Sequence, residues 1–178
     1  MNRPVLNVMF HPNLIETDFA FEVFSLLEET VRWNKQMASR YTESFGVPYH
    51  YSGMFYEEKP MPKIIEELTL VVAEKTGYIP NNCLLNYYLD GNSKMGFHSD
   101  DTSQLATGTG VAILSLGADR DMLFKHKRFE DIMESLHLNN GSLLYMDDRI
   151  QEEWLHAIPK SNIQSGRISL TFRSLIKS

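Results

Sequence analysis

Three side chains in the second half of the sequence have the types and spacing of a metal site. The stretch GFHSDD, Gly96 to Asp101, lies in a segment that otherwise reads as extended and aromatic. Adjacent carboxylates repel one another, and an imidazole beside them adds nothing to a hydrophobic core; a cation would reconcile them. On a strand, residues i and i+2 project to one face, so His98 and Asp100 would share one space. Asp101 would then point to the opposite face as an exposed or capping carboxylate. His156, 56 residues after Asp100 in the short run WLHAI, supplies a second imidazole. Two histidines and one carboxylate are the facial set of non-haem Fe(II) oxygenases, which leaves positions open for a co-substrate and dioxygen. Zinc accepts the same ligands, and a His-x-Asp pair with a later histidine also arises by chance.

The C-terminal run RISLTFR carries a second pattern. Arg167, Ser169, Thr171 and Arg173 share one face; Ile168, Leu170 and Phe172 share the other. If the apolar face packs, the other takes two permanent cations inward. Buried guanidinium groups are costly unless paired, and no matching set of spare carboxylates appears on the neighbouring strands. Six residues at about 3.3 Å each set the two arginine Cα atoms about 20 Å apart. Two inward arms would leave a gap suited to a small dicarboxylate, each end gripped by a guanidinium fork. An edge strand whose arginines reach out to water is the competing reading. Asn86 and Tyr88, twelve and ten residues before His98 respectively, share a face of LLNYYLDG. They are neutral donors suited to carboxylate oxygens, although a core tyrosine and a turn-forming asparagine explain them as simply.

The elements that must position these residues change character along the chain. In TDFAFEVFSLLEETVRWN, Ala20, Val23, Phe24, Leu27 and Val31 fall on one helical face, with Thr17 or Asp18 as N-cap. In PMPKIIEELTLVVAEKTG, Pro62 suits a first turn, Ile64, Ile65, Leu68, Val71 and Val72 make the stripe, and Gly77 ends it. From Cys83 the period shifts toward two, in short runs separated by Gly, Asn and Asp, as in a sandwich or barrel. The expectation is a mainly β chain with flanking helices (α+β): one domain over residues 1–178, helical over about 13–77, with a jelly-roll core over about 83–175.

Composition sets further bounds. A chain of 178 residues, 43% hydrophobic and 22% charged, matches a soluble globular protein with a proper core. No segment approaches the roughly 20 apolar residues of a membrane span, so no membrane partner is expected. The start, MNRPVLNVMFHPN, is broken by Asn7, His11 and Pro12 and makes a poor signal peptide. Cys83, the only cysteine, excludes an intrachain disulfide and fits a cytoplasmic location; it reads as a small core residue rather than a reactive thiol. The net charge of −6 counts mildly against a protein that holds polyanions.

Taken together, NYY…HSD…WLHAIP…RISLTFR resembles the AlkB-like 2-oxoglutarate- and Fe(II)-dependent dioxygenases. The resemblance runs from about Ser39 to Ser174 and includes SFGVPYHYSG, LLNYYLDG, SLGADRDMLFKHK and NNGSLLYM. It implies a double-stranded β-helix, a jelly-roll variant, with helices buttressing one sheet. It implies Fe(II) held by His98, Asp100 and His156, with 2-oxoglutarate as co-substrate and O2 as oxidant. Arg167 and Tyr88 would bind the distal carboxylate; Arg173 and Asn86 would bind near the 1-carboxylate and keto end. Ser169 stands where many members have asparagine, and its hydroxyl can still donate. The implied reaction converts 2-oxoglutarate to succinate and carbon dioxide while hydroxylating a substrate C–H. On a carbon attached to nitrogen, that hydroxylation releases formaldehyde and dealkylates the nitrogen.

The leading family activity is repair of alkylated nucleobases such as 1-methyladenine and 3-methylcytosine, with alkylated nucleic acid as partner and a monomeric enzyme. Arg120, Lys125, His126, Lys127 and Arg128 would then line the mouth and follow a phosphate backbone; a solvated strand face is the plainer account. Tyr41, Phe45, Tyr49, Tyr51, Phe55 and Tyr56 lie where the family places a lid, and some would stack on a base. Against nucleic acid stand the net charge and Thr102, at a position where repair relatives often carry an acid. The alternatives are a hydroxylase of a small metabolite or protein side chain, and a catalytically silent binding module. The remaining histidines, His11, His50, His126 and His137, read as surface or structural.

Overall fold

The computed structural model describes residues 3–176. A short strand, β1 (Met9–His11), leads into helix α1 (Thr17–Thr30). Strand β2 (Tyr41–Gly46) and a hairpin of β3 (Tyr49–Tyr51) and β4 (Met54–Tyr56) precede helix α2 (Lys63–Thr76). Six strands follow: β5 (Asn82–Tyr88), β6 (Met95–His98), β7 (Val111–Gly117), β8 (Arg120–His126), β9 (Met133–Leu138) and β10 (Leu143–Met146). The short helix α3 (Asp148–Glu153), β11 (Trp154–Ile158) and β12 (Arg167–Arg173) come after them.

The strands form two main antiparallel sheets. One runs β1-β10-β7-β12-β5-β2, the other β6-β11-β8-β9, and the β3–β4 hairpin stands apart. Alternation along β5, β7 and β12 explains how the large sheet is covered on both faces. Cys83, Leu85, Tyr87, Ala112, Leu114, Leu116, Ile168, Leu170 and Phe172 meet Ala20, Val23 and Leu27 of α1 and Ile65, Leu68 and Val72 of α2. The opposite face sends Leu84, Tyr88, Val111 and Ile113 toward Met122, Phe124, Trp154 and Ile158 of the small sheet. The fold is therefore a mainly β jelly roll with two helices against one sheet, and the second core lies between the sheets. The polar face of β12 belongs to that inter-sheet space.

The helices begin and end for local reasons. Gly77 takes the left-handed conformation (φ 81°) and its amide donates to the Ala73 carbonyl, a glycine C-cap that closes α2. Glu16 occupies the N-cap of α1, so neither Thr17 nor Asp18 caps it; Asp18 instead sits in the first turn, where a negative charge complements the helix dipole.

Residues 13–77 depart from the helical reading. Between α1 and α2 they form β2, β3 and β4. The sequence of β2, YTESFG, has no alternating apolar signal because its buried polar side chains find polar partners outside the strand. Thr42 pairs with the Tyr56 hydroxyl at 2.5 Å, Glu43 with Lys59 at 2.9 Å, and Ser44 accepts from Asn82 at 3.0 Å. Ser52 (φ 49°) and Gly53 (φ 75°) turn the β3–β4 hairpin. Two positive φ values at the central residues match the twist of a tight hairpin. Among the described residues, no helix is long and apolar enough to cross a membrane.

Candidate active site

The three metal-type side chains are brought together by strand pairing. β6 and β11 are antiparallel neighbours in a register that sets His98 opposite His156, with ring centroids 4.3 Å apart. β6 ends at His98, and Asp100 follows on a loop. The Asp100 amide donates to Gln151 Oε1 at 2.8 Å, and Gln151 sits in α3, whose first turn is capped by Asp147. The Asp100 carboxylate thus lies 3.5 Å from His98 Nε2 and 3.8 Å from His156 Nε2. One ligand atom from each of the three residues falls within a 4.8 Å set.

Protonation states suit a cation. His98 Nδ1 lies 2.9 Å from the Gly96 carbonyl. A carbonyl can only accept, so Nδ1 donates to it, and Nε2 is the ring nitrogen turned toward the point shared with Asp100 and His156. Burial pushes His156 down to about 4, with Asp100 only partly offsetting it, so this imidazole is neutral near neutral pH. Burial alone would raise the Asp100 carboxyl, but Arg173 and the two imidazoles outweigh it and hold the group well below the usual carboxylate range. The result is one carboxylate and two imidazole Nε2 atoms around a common point, a donor set for Fe(II) or another divalent ion.

The arginine face of β12 lies inside, not at an edge. Arg167, Ser169, Thr171 and Arg173 are all buried and line a narrow cavity together with Asn86 and Tyr88. The β5–β12 register sets Tyr88 opposite Arg167 and Asn86 opposite Ser169. Arg173 reaches across the inter-sheet space and donates to Asp100 Oδ2 at 3.2 Å, which places it beside the metal-type residues. Arg167 is farther along the strand; it donates to Ser115 Oγ at 2.9 Å and stacks 5.2 Å from the Tyr88 ring centre. Nε and Nη1 of both arginines are buried without a hydrogen-bond partner among the described residues. Orphaned, charged donors are expensive in a protein interior. Two guanidinium groups against one carboxylate leave unpaired donors at two separated places, which a dicarboxylate spanning them would satisfy.

Other residues fall differently from their sequence reading. Asp101 lies beyond the end of β6, where strand alternation no longer applies. It lines a second, outer cavity beside Asp100 rather than facing away, and hydrogen bonds from Ser103 hold its carboxyl below the usual range. Of the proposed lid aromatics, Tyr49, Tyr51 and Phe55 line that outer cavity. Tyr41 and Phe45 pack on the helix side of the large sheet, and Tyr56 is buried in the inter-sheet core. His50, expected to be incidental, lines the outer cavity and packs on Phe55 at 4.7 Å.

The basic cluster is largely spent on the fold. Arg120 is buried and donates to the carbonyls of Asp90, Ser93 and Pro159. His126 is buried and accepts from the amides of Arg128 and Phe129. Lys125 pairs with Glu130, and Lys127 donates to Ser99 Oγ and the Gln151 carbonyl. Arg128 is left exposed. Two further residues of the site carry no pattern in the sequence. Arg40, which holds Asn86 and Tyr51, sits in a loop with no periodicity. Gln151, which holds Asp100, is a polar residue on a helix of six.

With this geometry in place, comparison with known proteins decides the family. A family model described as the 2OG-Fe(II) oxygenase superfamily matches residues 9–173. The chain belongs to the 2OG-Fe(II) oxygenase superfamily. It is similar to the DNA oxidative demethylase ALKBH2 of Mus musculus, 35% identical over 140 residues that cover 74% of this chain and 58% of the relative. It is also similar to the alpha-ketoglutarate-dependent dioxygenase alkB homolog 3 of Rattus norvegicus, 29% identical over 192 residues, covering 96% and 65%. The chain thus spans less than two thirds of the length of either relative. A solved structure titled "The structure of OsALKBH1" superposes with a TM-score of 0.67 at 15% identity, covering 97% of this chain and all of that one, and shares the fold. The AlkB-like resemblance read from the sequence therefore stands, and the superfamily's metal and co-substrate are Fe(II) and 2-oxoglutarate.

Proposed function

We propose that the chain is one oxygenase domain that oxidatively dealkylates N-alkylated nucleobases, with Fe(II) held by His98, Asp100 and His156. In this reading Arg173 and Asn86 bind the keto-acid end of 2-oxoglutarate. Arg167, Tyr88 and Ser169 bind its distal carboxylate. The unpaired guanidinium nitrogens of the inner cavity support the co-substrate assignment. When bound, the metal supplies the oxygen chemistry that couples decarboxylation of 2-oxoglutarate to hydroxylation of a substrate C–H. The chain's own residues bind and orient. Arg173 neutralises the inner carboxylate, Arg167 fixes the far end, and the apolar walls of Leu84, Ile113 and Met122 keep water from the space between them.

The outer cavity carries the substrate reading. It encloses about 620 Å³ and shares His98 and Asp100 with the inner one. Its walls include Tyr49, Tyr51, His50 and Phe55, and Asp101 contributes an ionised carboxylate. Flat aromatic walls suit a base taken out of its stack. A carboxylate favours a ring made cationic by N-alkylation over a neutral one. The named activity of the ALKBH2 relative points the same way. The few free cations near the mouth, and the net charge of −6, favour a second reading, a hydroxylase of a small metabolite or a protein side chain. All the implied ligands come from one chain, consistent with a monomer, and the lone buried Cys83 is consistent with the reducing cytoplasm.

Incubation with Fe(II), 2-oxoglutarate and an oligonucleotide carrying 1-methyladenine or 3-methylcytosine should release formaldehyde and succinate in equal amounts and restore the base. Succinate formation with no turnover of any methylated base, single- or double-stranded, would replace the nucleobase reading with the small-substrate one.

A further inference from the structure

Arg40 is buried with no carboxylate partner among the described residues, yet it joins the two cavities. Its Nε donates to Asn86 Oδ1 at 2.8 Å, and one terminal nitrogen donates to Ser39 Oγ at 3.1 Å. The other donates to the Tyr51 hydroxyl, and the guanidinium lies 5.8 Å from the Tyr51 ring centre. Asn86 lines the inner cavity; Tyr51, on β3 of the hairpin, lines both.

The chemistry of these contacts is directional. A guanidinium can only donate, so the Asn86 atom that faces Arg40 is the carbonyl oxygen, and the amide NH2 is free to turn to the cavity. A carboxylate in that cavity requires a donor there. Without Arg40 the two amide orientations become comparable, and one of them presents an acceptor to an anion. The same guanidinium ties down the hairpin by the Tyr51 hydroxyl. A carboxylate that fixes Asn86 therefore also fixes Arg40 in the geometry that holds Tyr51. Coupling of this kind is reciprocal.

We propose that Arg40 is a positioning residue that fixes Asn86 as a donor and, through Tyr51, makes co-substrate occupancy and seating of the β3–β4 hairpin interdependent. The inference rests on the assignment of the inner cavity to 2-oxoglutarate. In Mn(II)-loaded wild-type protein, 2-oxoglutarate should slow amide hydrogen exchange over residues 49–56 at least about threefold. Arg40→Met should lose that protection. It should also raise KM for 2-oxoglutarate in substrate-free decarboxylation about tenfold, with a smaller change in kcat. Tyr51→Phe removes only the hydroxyl acceptor and should lose the protection too, which keeps the test decisive if Arg40→Met fails to fold. Arg173→Ala is the reference. If that variant keeps wild-type KM, the cavity assignment falls. If it loses affinity while Arg40→Met keeps wild-type KM, or if either Arg40→Met or Tyr51→Phe retains the hairpin protection, the role of Arg40 alone falls.

Discussion

Asp100→Ala should abolish 2-oxoglutarate-dependent succinate formation, by at least about a hundredfold, since loss even of groups that merely support metal ligands costs roughly 10–100-fold. Asp100 contributes the one carboxylate oxygen that lies near both imidazoles. The variant should also be less stable in its metal-free form. Asp100 is the carboxylate partner of Arg173, whose side chain is 3% exposed, and removing one member of a buried pair costs about 3 kcal/mol or more. His98→Ala separates the two effects. Its side chain is 30% exposed and it has no arginine partner, so it should lose activity as fully while thermal unfolding shifts much less. Succinate production by either variant at the wild-type rate would remove the metal assignment. Equal destabilisation by both would contradict the buried Asp100–Arg173 pair.

Arg173→Ala should raise KM for 2-oxoglutarate by about 30-fold or more. A hydrogen bond to a charged group contributes about 1.5–3 kcal/mol, and Arg173 offers Nε and Nη1 that have no partner among the described residues. Arg173→Lys should restore little, because an ammonium on a flexible stem cannot reproduce the planar fork against a carboxylate. Arg167→Ala should act in the same direction from the far end, where its guanidinium sits over Tyr88. Steady-state kinetics with 2-oxoglutarate as the varied reactant measures all three. Unchanged affinity in Arg173→Ala would mean that the dicarboxylate lies elsewhere.

The parts of this molecule that were legible in the sequence are those under two-sided constraint. β5 and β12 are buried along their whole length, one face against helices and the other in the cavity. Their alternation separates Leu85 and Leu170 from Asn86 and Ser169 residue by residue. His98 was readable because Asp100 follows it by two residues, and pairing of β6 with β11 brings His156 opposite it.

What escaped depends on partners distant in sequence. β2 is held by polar contacts to Tyr56, Lys59 and Asn82, which have no period. Strand alternation does not reach Asp101, which lies three residues beyond the end of β6. The basic run of β8 looked like a surface for phosphate because charge alone does not reveal that Arg120 caps three carbonyls and that Lys127 braces the loop carrying Asp100. Arg40 shows the same limit: its importance lies in Asn86, 46 residues away.

Calorimetric titration of 2-oxoglutarate into Mn(II)-loaded protein tests the shared metal and dicarboxylate site most directly. One molecule should bind per chain, with binding strongly weakened by chelation of the metal and by Arg173→Ala. Binding of unchanged strength after chelation, or no binding to the loaded wild-type protein, would contradict it.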